Sequence, residues 1–141
     1  MAKKGKKFKK VKSKESKHFK EPDSPPPNYD TYKPIFSFYH MKYGGSYCLS
    51  NCSSGDKADL AHHLLKLSQR PWHKIISTDR KTLGYEKIPL NQLHPTSFPS
   101  IITPDVKSLI VFSCSHACRM AGIREREIYH IILVGDNLYN H

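Results

Sequence analysis

Long apolar runs are missing from this sequence. A membrane-spanning helix needs about 18–20 consecutive apolar residues, and no segment approaches that length. The basic amino terminus leads into a proline-rich stretch, not into the apolar run of about 7–15 residues that a secretory signal requires. We therefore expect a protein of the cytoplasm with no membrane partner. In that compartment cysteines are more often reduced or metal-bound than paired in disulfides.

Acidic and apolar residues are scarce in the first 20 positions. These hold ten lysines and one glutamate, whereas the other 121 residues carry 13 basic and 11 acidic side chains. So few apolar groups cannot repay the entropy of ordering, and we expect a disordered tail that binds RNA phosphates through counterion release. The lysines assigned to RNA binding are Lys3, Lys4, Lys6, Lys7, Lys9, Lys10, Lys12 and Lys14. Alternatively, the tail is a solvated segment that keeps the protein soluble.

Proline is concentrated between positions 22 and 27, where it favours an extended, semi-rigid spacer. The chain has 141 residues, a common size for a single domain. We therefore divide it into a basic tail with its proline-rich spacer at residues 1–33 and one folded domain at residues 34–141.

One helix is clear from the periodicity. Leu60, Leu64 and Leu67 recur at the spacing of one helical face, and residues 53–56 offer N-cap candidates. Pro71 suits the first turn of a short second helix that would carry the single tryptophan.

The remaining apolar runs have the length of strands. Residues 35–41 and 46–49 flank two glycines and predict a β-hairpin, while residues 80–104 lack a sustained period and predict a mostly irregular connection. Residues 107–112, 119–124 and 128–134 predict three consecutive strands, the last alternating regularly between two faces. The expected fold class is α+β, with a helical pair packed on an antiparallel sheet.

Cationic, histidine and tyrosine side chains lie within and beyond the last two of these strands. The pattern is Arg119-x-x-Gly122-x-Arg124, then an aromatic–histidine strand with His130, then a Tyr-x-His sequence at 139–141. It resembles the closing strands of the RelE/ParE-like toxin ribonucleases of bacterial toxin–antitoxin systems, over about the last quarter of the chain.

This resemblance implies a toxin-like RNA endonuclease of the mRNA interferase type, acting by metal-independent attack of the 2′-OH. It implies RNA or the ribosome as a target and a cognate antitoxin as a partner. Arg119 and Arg124 would hold phosphate, and protons would be transferred by His130, Tyr139 and His141. The general base stays open between Glu86 and Glu125. The alternative is that these cations and histidines are ordinary strand residues without a joint function.

The four cysteines form two Cys-x-x-x-Cys pairs, Cys48 with Cys52 and Cys114 with Cys118. Four thiolates can close a tetrahedral structural zinc site, and this spacing falls within the range of such sites. The alternatives are ordinary thiols, or a redox or disulfide role.

Two further functions remain open. One is a non-enzymatic nucleic-acid-binding module stabilised by zinc at the four cysteines, with the lysine tail supplying most of the affinity. The other is a protein-interaction subunit that docks its partner through the proline-rich spacer and the long connection.

Overall fold

A computed structural model describes residues 25–79 and 83–140. The lysines assigned to RNA binding and His141 lie outside these residues, so their predicted roles stay predictions. The described part is α+β, as expected, with a five-stranded sheet and two α-helices. No helix within it is long and apolar enough to cross a membrane.

The strands form one mixed sheet in the order β1-β5-β4-β3-β2. The bounds are β1 Ile35–Ser37, β2 Tyr85–Pro89, β3 Ser108–Ser113, β4 Arg119–Glu125 and β5 Ile128–Gly135. Strands β2 to β5 pair with antiparallel neighbours, as predicted, whereas β1 lies parallel to β5. The antiparallel sheet expected from the sequence is therefore extended by one parallel strand.

Helix α1, Ser54–Ser68, begins where the sequence offers its caps. The Ser53 hydroxyl accepts a hydrogen bond from the Asp56 amide at 3.0 Å, which satisfies one free N–H group of the first turn. Leu60 and Leu67 are buried on one side of the helix, so the predicted apolar stripe is confirmed. Helix α2, Trp72–Ile76, follows directly and buries Trp72 and Ile75.

The predicted amino-terminal hairpin is wrong. Strand β1 pairs with residues 128–130 of β5, and the residues expected to form its hairpin partner run as turns into a 3₁₀ helix, Leu49–Asn51. The predicted irregular connection also contains β2, which pairs with β3 along five residues. Both differences arise because short strands are decided by long-range partners rather than by local sequence.

Each face of the sheet has its own core. The helices cover one face, the helix face, where Trp72, Phe112 and Tyr129 are buried together with Leu60 and Leu67. The residues between β2 and β3 cover the other, the loop face, where Leu93 and Phe98 pack with side chains such as Val111 and Leu133. The long connection is thus a packed layer of the domain.

A β-bulge interrupts the last strand pair. Ala121 pairs with Leu133, but the next residue, Gly122, pairs with Ile131, which leaves Ile132 as the extra residue. The bulge lies at Gly122, where the absence of a side chain permits the close approach of β5. It also corrects the regular alternation predicted for this strand, because Ile132 and Leu133 both pack on the loop face and Val134 packs on the helix face.

Candidate functional site

The two arginines expected to share a phosphate lie at opposite ends of β4. Arg119 pairs with Gly135 and Arg124 with Tyr129, a separation of about 17 Å along the strand. Positions five apart also project from opposite faces of a strand. A single phosphate therefore cannot contact both side chains, and each arginine has its own surroundings.

Arg119 lies beside Tyr139 and Glu86 on the loop face. The Tyr139 hydroxyl donates a hydrogen bond to the Glu86 carboxylate at 2.9 Å, and the Arg119 side chain also hydrogen-bonds Tyr139. Glu86 comes from β2, opposite Val111 of the loop-face core, and Tyr139 is held by a β-bridge to Leu93. A base, a proton donor and a cation thus meet at one place. We call these three residues the Glu–Tyr–Arg site.

The Tyr139 hydroxyl keeps its proton. Burial, and then the hydrogen bond and negative charge of Glu86, raise the pKa of Tyr139 above its ordinary value, while Arg119 acts in the opposite direction. A tyrosine with a raised pKa is protonated at neutral pH and can donate to an acceptor. Tyr139 therefore has the protonation state of a general acid.

The guanidinium of Arg119 is fixed by main-chain oxygens. Its Nη1 atom donates to the carbonyls of Ser115, His116 and Cys118 at 3.1–3.3 Å. These contacts anchor the turn between β3 and β4 and orient the cation toward Tyr139. An oriented guanidinium is suited to binding an oxyanion.

Arg124 is held on the helix face by three contacts. Its guanidinium lies over the Trp72 ring, 4.4 Å from the centroid, and forms an ion pair with Asp30 at 2.6 Å. Its Nε donates to the Arg126 carbonyl at 2.6 Å. These contacts tie the segment before β1 and helix α2 to the β4–β5 turn, which accounts for Arg124 without a ligand.

Replacing Arg124 should mainly affect stability. We expect Arg124→Ala to lower the free energy of unfolding by about 1–2 kcal/mol, because it removes a cation–π contact and a partly exposed ion pair. Arg126→Asn is the control, since Arg126 is exposed and Asn tolerates its positive φ of 58°. Urea unfolding of both variants measures the difference, and equal midpoints would contradict the structural role of Arg124.

His130 forms a separate group at the far end of the loop face. Its Nε2 lies 3.1 Å from the Glu125 carboxylate, and its ring stands 5.2 Å from that of His40. The buried Nδ1 atom has no hydrogen-bond partner among the described residues. His130 pairs with Ile123, four residues along β4 from Arg119, or about 13 Å away. The four members of the predicted catalytic set that the structure describes are therefore divided among three places.

Three of the four cysteines converge on the helix face. Cys118 hydrogen-bonds Cys114 and also interacts with Cys52. Cys48 is also buried, but the hydrogen bonds of its thiol are made to Ser50 and not to the other cysteines. Its Sγ accepts hydrogen bonds from the Ser50 amide and hydroxyl at 3.5 and 3.2 Å. These bonds lower the pKa of the Cys48 thiol. The two Cys-x-x-x-Cys pairs therefore meet through the thiols of Cys52, Cys114 and Cys118, without that of Cys48.

Two carboxylates that the sequence did not indicate join this group. Ligand atoms of Asp56, Cys118 and Asp136 all lie within 4.8 Å of one another, and both carboxylates also act on Cys52. Burial first, then the neighbouring Cys118 and the two carboxylates, raise the pKa of Cys52 to about 11. The hydrogen bond that the Cys118 thiol donates to Cys114, then burial and the charges of Cys114 and the two carboxylates, also raise the pKa of Cys118. Across residues 25–79 and 83–140 no other such group of three or more His, Cys, Asp or Glu side chains occurs.

The spacing of the cysteines did not indicate Asp56 or Asp136 as members of this group, because each aspartate lies on a different element from the cysteines. Glu86, by contrast, was one of the two carboxylates considered as a base. Comparisons of the chain with protein-family models, with curated proteins and with solved structures found no match.

Proposed function

We propose that the protein is a toxin-like RNA endonuclease, related in fold and chemistry to the RelE/ParE-like ribonucleases, with the Glu–Tyr–Arg site as its catalytic centre. The observation that carries this proposal is the hydrogen bond from Tyr139 to Glu86 with the Arg119 guanidinium beside it. A helical pair on a sheet, with cationic and tyrosine side chains on and after the last strands, is the arrangement that the resemblance implies.

The chemistry needs no metal at this site. The Glu86 carboxylate takes the proton of the ribose 2′-OH, and the 2′-oxygen attacks phosphorus. The bond from phosphorus to the 5′-oxygen breaks, and the leaving oxygen takes the Tyr139 proton. Arg119 balances the added negative charge of the transition state. The products are a 2′,3′-cyclic phosphate and a 5′-hydroxyl, and the proton on Glu86 returns to Tyr139 along their hydrogen bond.

Substrate binding must open that hydrogen bond. In-line attack places the entering and leaving oxygens on opposite sides of phosphorus, so the phosphate lies between Glu86 and Tyr139 during the reaction. The main chain of this segment is held by the β-bridge of Tyr139 to Leu93 and by hydrogen bonds of Asn137 and Leu138, so the opening is a rotation of the Tyr139 side chain and not a movement of the strand. The lysine tail would supply sequence-independent attraction to RNA or the ribosome, and a cognate antitoxin would cover the site.

Cleavage of a defined single-stranded RNA by the full chain tests the proposal. We expect Glu86→Gln and Tyr139→Phe each to lower the cleavage rate at least tenfold, because each removes a proton-transfer group that contributes on the order of 100-fold or more. Arg119→Gln should lower it similarly through loss of transition-state charge stabilisation. Mass spectrometry of the fragments should find 2′,3′-cyclic phosphate ends.

Lys87→Gln is the matched control for Arg119→Gln. It removes one positive charge from the same sheet, next to Glu86 on β2 but on the other face. We expect this control to cleave at the wild-type rate, and circular dichroism should find all four variants folded. Equal rates in wild type and Glu86→Gln, or 3′-hydroxyl products, would contradict the mechanism.

The second candidate function is a non-enzymatic nucleic-acid-binding module. The convergence of three thiols with two carboxylates favours it, because such a group fits the structural metal of a small binding domain. Salt-dependent RNA binding without cleavage, unaffected by Tyr139→Phe, would support this candidate over the endonuclease.

A further inference from the structure

Four polar side chains from separate parts of the chain converge at one end of the sheet. Cys52 caps the 3₁₀ helix Leu49–Asn51, and Asp56 lies in the first turn of α1. Cys118 precedes β4 and Asp136 follows β5. Because Arg119 pairs with Gly135 in an antiparallel register, Cys118 and Asp136 occupy the next opposed positions. The sheet itself therefore brings a thiol and a carboxylate together.

The other two residues are positioned over them by the cap of α1. Ser53 caps the helix, so Cys52 and Asp56 lie on either side of the cap. The Cys52 thiol lies 3.9 Å from the Val134 carbonyl of β5. The group borders a cavity of about 340 Å³, lined by Cys52, Asp56 and Asp136. A small ion can therefore reach the group from solvent.

We propose that Cys52, Asp56, Cys118 and Asp136 bind one zinc ion. Cysteine sulfur and aspartate oxygen are both established zinc ligands, and four such ligands give the tetrahedral coordination of a structural site. Thiolates also select zinc over the hard cations magnesium and calcium, which prefer oxygen. This ligand set differs from the four cysteines, since Asp56 and Asp136 replace Cys48 and Cys114.

The distances suit a site that contracts on binding. Bonds of about 2.3 Å to sulfur and 2.0–2.2 Å to oxygen place tetrahedral ligands roughly 3.5 Å apart. The atoms of Asp56, Cys118 and Asp136 lie within 4.8 Å of one another, so inward movements of about one ångström are sufficient for these three ligands. Asp136 is exposed and free to adjust, whereas Cys118 is fixed in the core.

Electrostatics also favour a cation here. Two thiolates and two carboxylates would surround the ion with four negative charges, of which a divalent cation neutralises half. Ser115 is not a proposed ligand but hydrogen-bonds two of the ligand residues. Its hydroxyl donates to the Asp56 carboxylate at 3.0 Å and accepts from the Cys118 amide at 3.1 Å, so it orients two ligands at once.

Cobalt binding tests the ligand set directly. The full chain, purified under reducing conditions and stripped of metal, is titrated with Co²⁺, followed by displacement with Zn²⁺. We expect one Co²⁺ per chain, with the thiolate charge-transfer absorption and the visible bands of a tetrahedral site. Cys118→Ser and Asp136→Asn should each weaken Co²⁺ binding more than tenfold, since even the loss of an outer partner such as Ser115 costs about 10–100-fold.

Cys48→Ser is the decisive control. It removes a thiol of the same sequence pair as Cys52, so a four-cysteine site would lose its cobalt spectrum while the proposed site keeps it. If Cys118→Ser fails to fold, Asp136→Asn still tests the ligand set, because Asp136 is exposed and its replacement should leave the fold intact. Loss of the spectrum in Cys48→Ser, full binding by Asp136→Asn, or no thiolate absorption in the wild type would each overturn the proposal. RNA cleavage does not enter this test, so it stands apart from the proposed function.

Discussion

Gly122→Ala should be among the most damaging single substitutions in this protein. A Cβ atom at this position would overlap the His130 carbonyl oxygen of the neighbouring strand and crowd the carbonyl carbon at 2.8 Å. The clash is with main-chain atoms, which cannot move aside as the end of a flexible side chain can. The His130 carbonyl and Gly122 belong to β5 and β4, the most extensive strand pair of the sheet. We expect the free energy of unfolding to fall by about 3 kcal/mol, the upper range for overpacking. Urea unfolding followed by circular dichroism measures this.

Gly45→Ala is the matched control. The nearest atom to a Cβ there is the Lys42 carbonyl oxygen at 3.5 Å, an ordinary contact. Reduced freedom of the unfolded chain should make this variant equal to or slightly more stable than wild type, by up to about 1 kcal/mol. If Gly122→Ala and Gly45→Ala unfold at the same urea concentration, the close approach of β4 and β5 at the bulge is incorrect.

Trp72→Ala should destabilise the domain by about 3–5 kcal/mol, the usual range for truncating a buried tryptophan. The ring is 1% exposed and packs edge-on to Tyr129, and its Nε1 donates to the Glu127 carbonyl at 3.0 Å. Truncation also removes the surface on which Arg124 lies. Since small domains have total stabilities of about 5–15 kcal/mol, a substantial unfolded fraction is expected.

Two further variants separate the contributions of Trp72. Trp72→Phe keeps an aromatic ring but loses the hydrogen bond and some volume, so an intermediate loss is expected. Leu65→Ala removes an apolar side chain that is 54% exposed on α1 and should change stability by no more than about 0.5 kcal/mol. Thermal melts by circular dichroism rank the three variants, and a Trp72→Ala melt matching that of Leu65→Ala would refute the central position of the ring.

Local sequence signals predicted the elements that are stabilised locally. The leucine stripe and cap of α1, and the apolar runs of β3 to β5, each carry a period that one element can satisfy alone. Strands β1 and β2 were missed or mispaired because their partners lie far away in sequence. The change of face after Ile132 was also missed, because it depends on the pairing register, which no single-strand pattern contains.

For the candidate sites, the sequence indicated several of the residues but not which of them lie together. Arg119, Tyr139 and Glu86 were all singled out by residue type, but their meeting depends on how the residues after β5 return to the loop face. The separation of Arg119 from Arg124 follows from strand periodicity and could have been inferred. Asp56 and Asp136 gave no signal, because an isolated aspartate beside a helix start or after a strand is typical of any soluble domain.

The parallel pairing of β1 with β5 also bears on how the molecule folds. Strand β1 must wait for β5, which follows it far along the chain, before its hydrogen bonds are satisfied. Such distant pairings slow folding because loop closure precedes any gain in contacts. Until then Phe36 and the Ile35 amide, which later bonds Glu127, stay exposed to solvent. The nascent chain is therefore most open to chaperones or to aggregation during this interval.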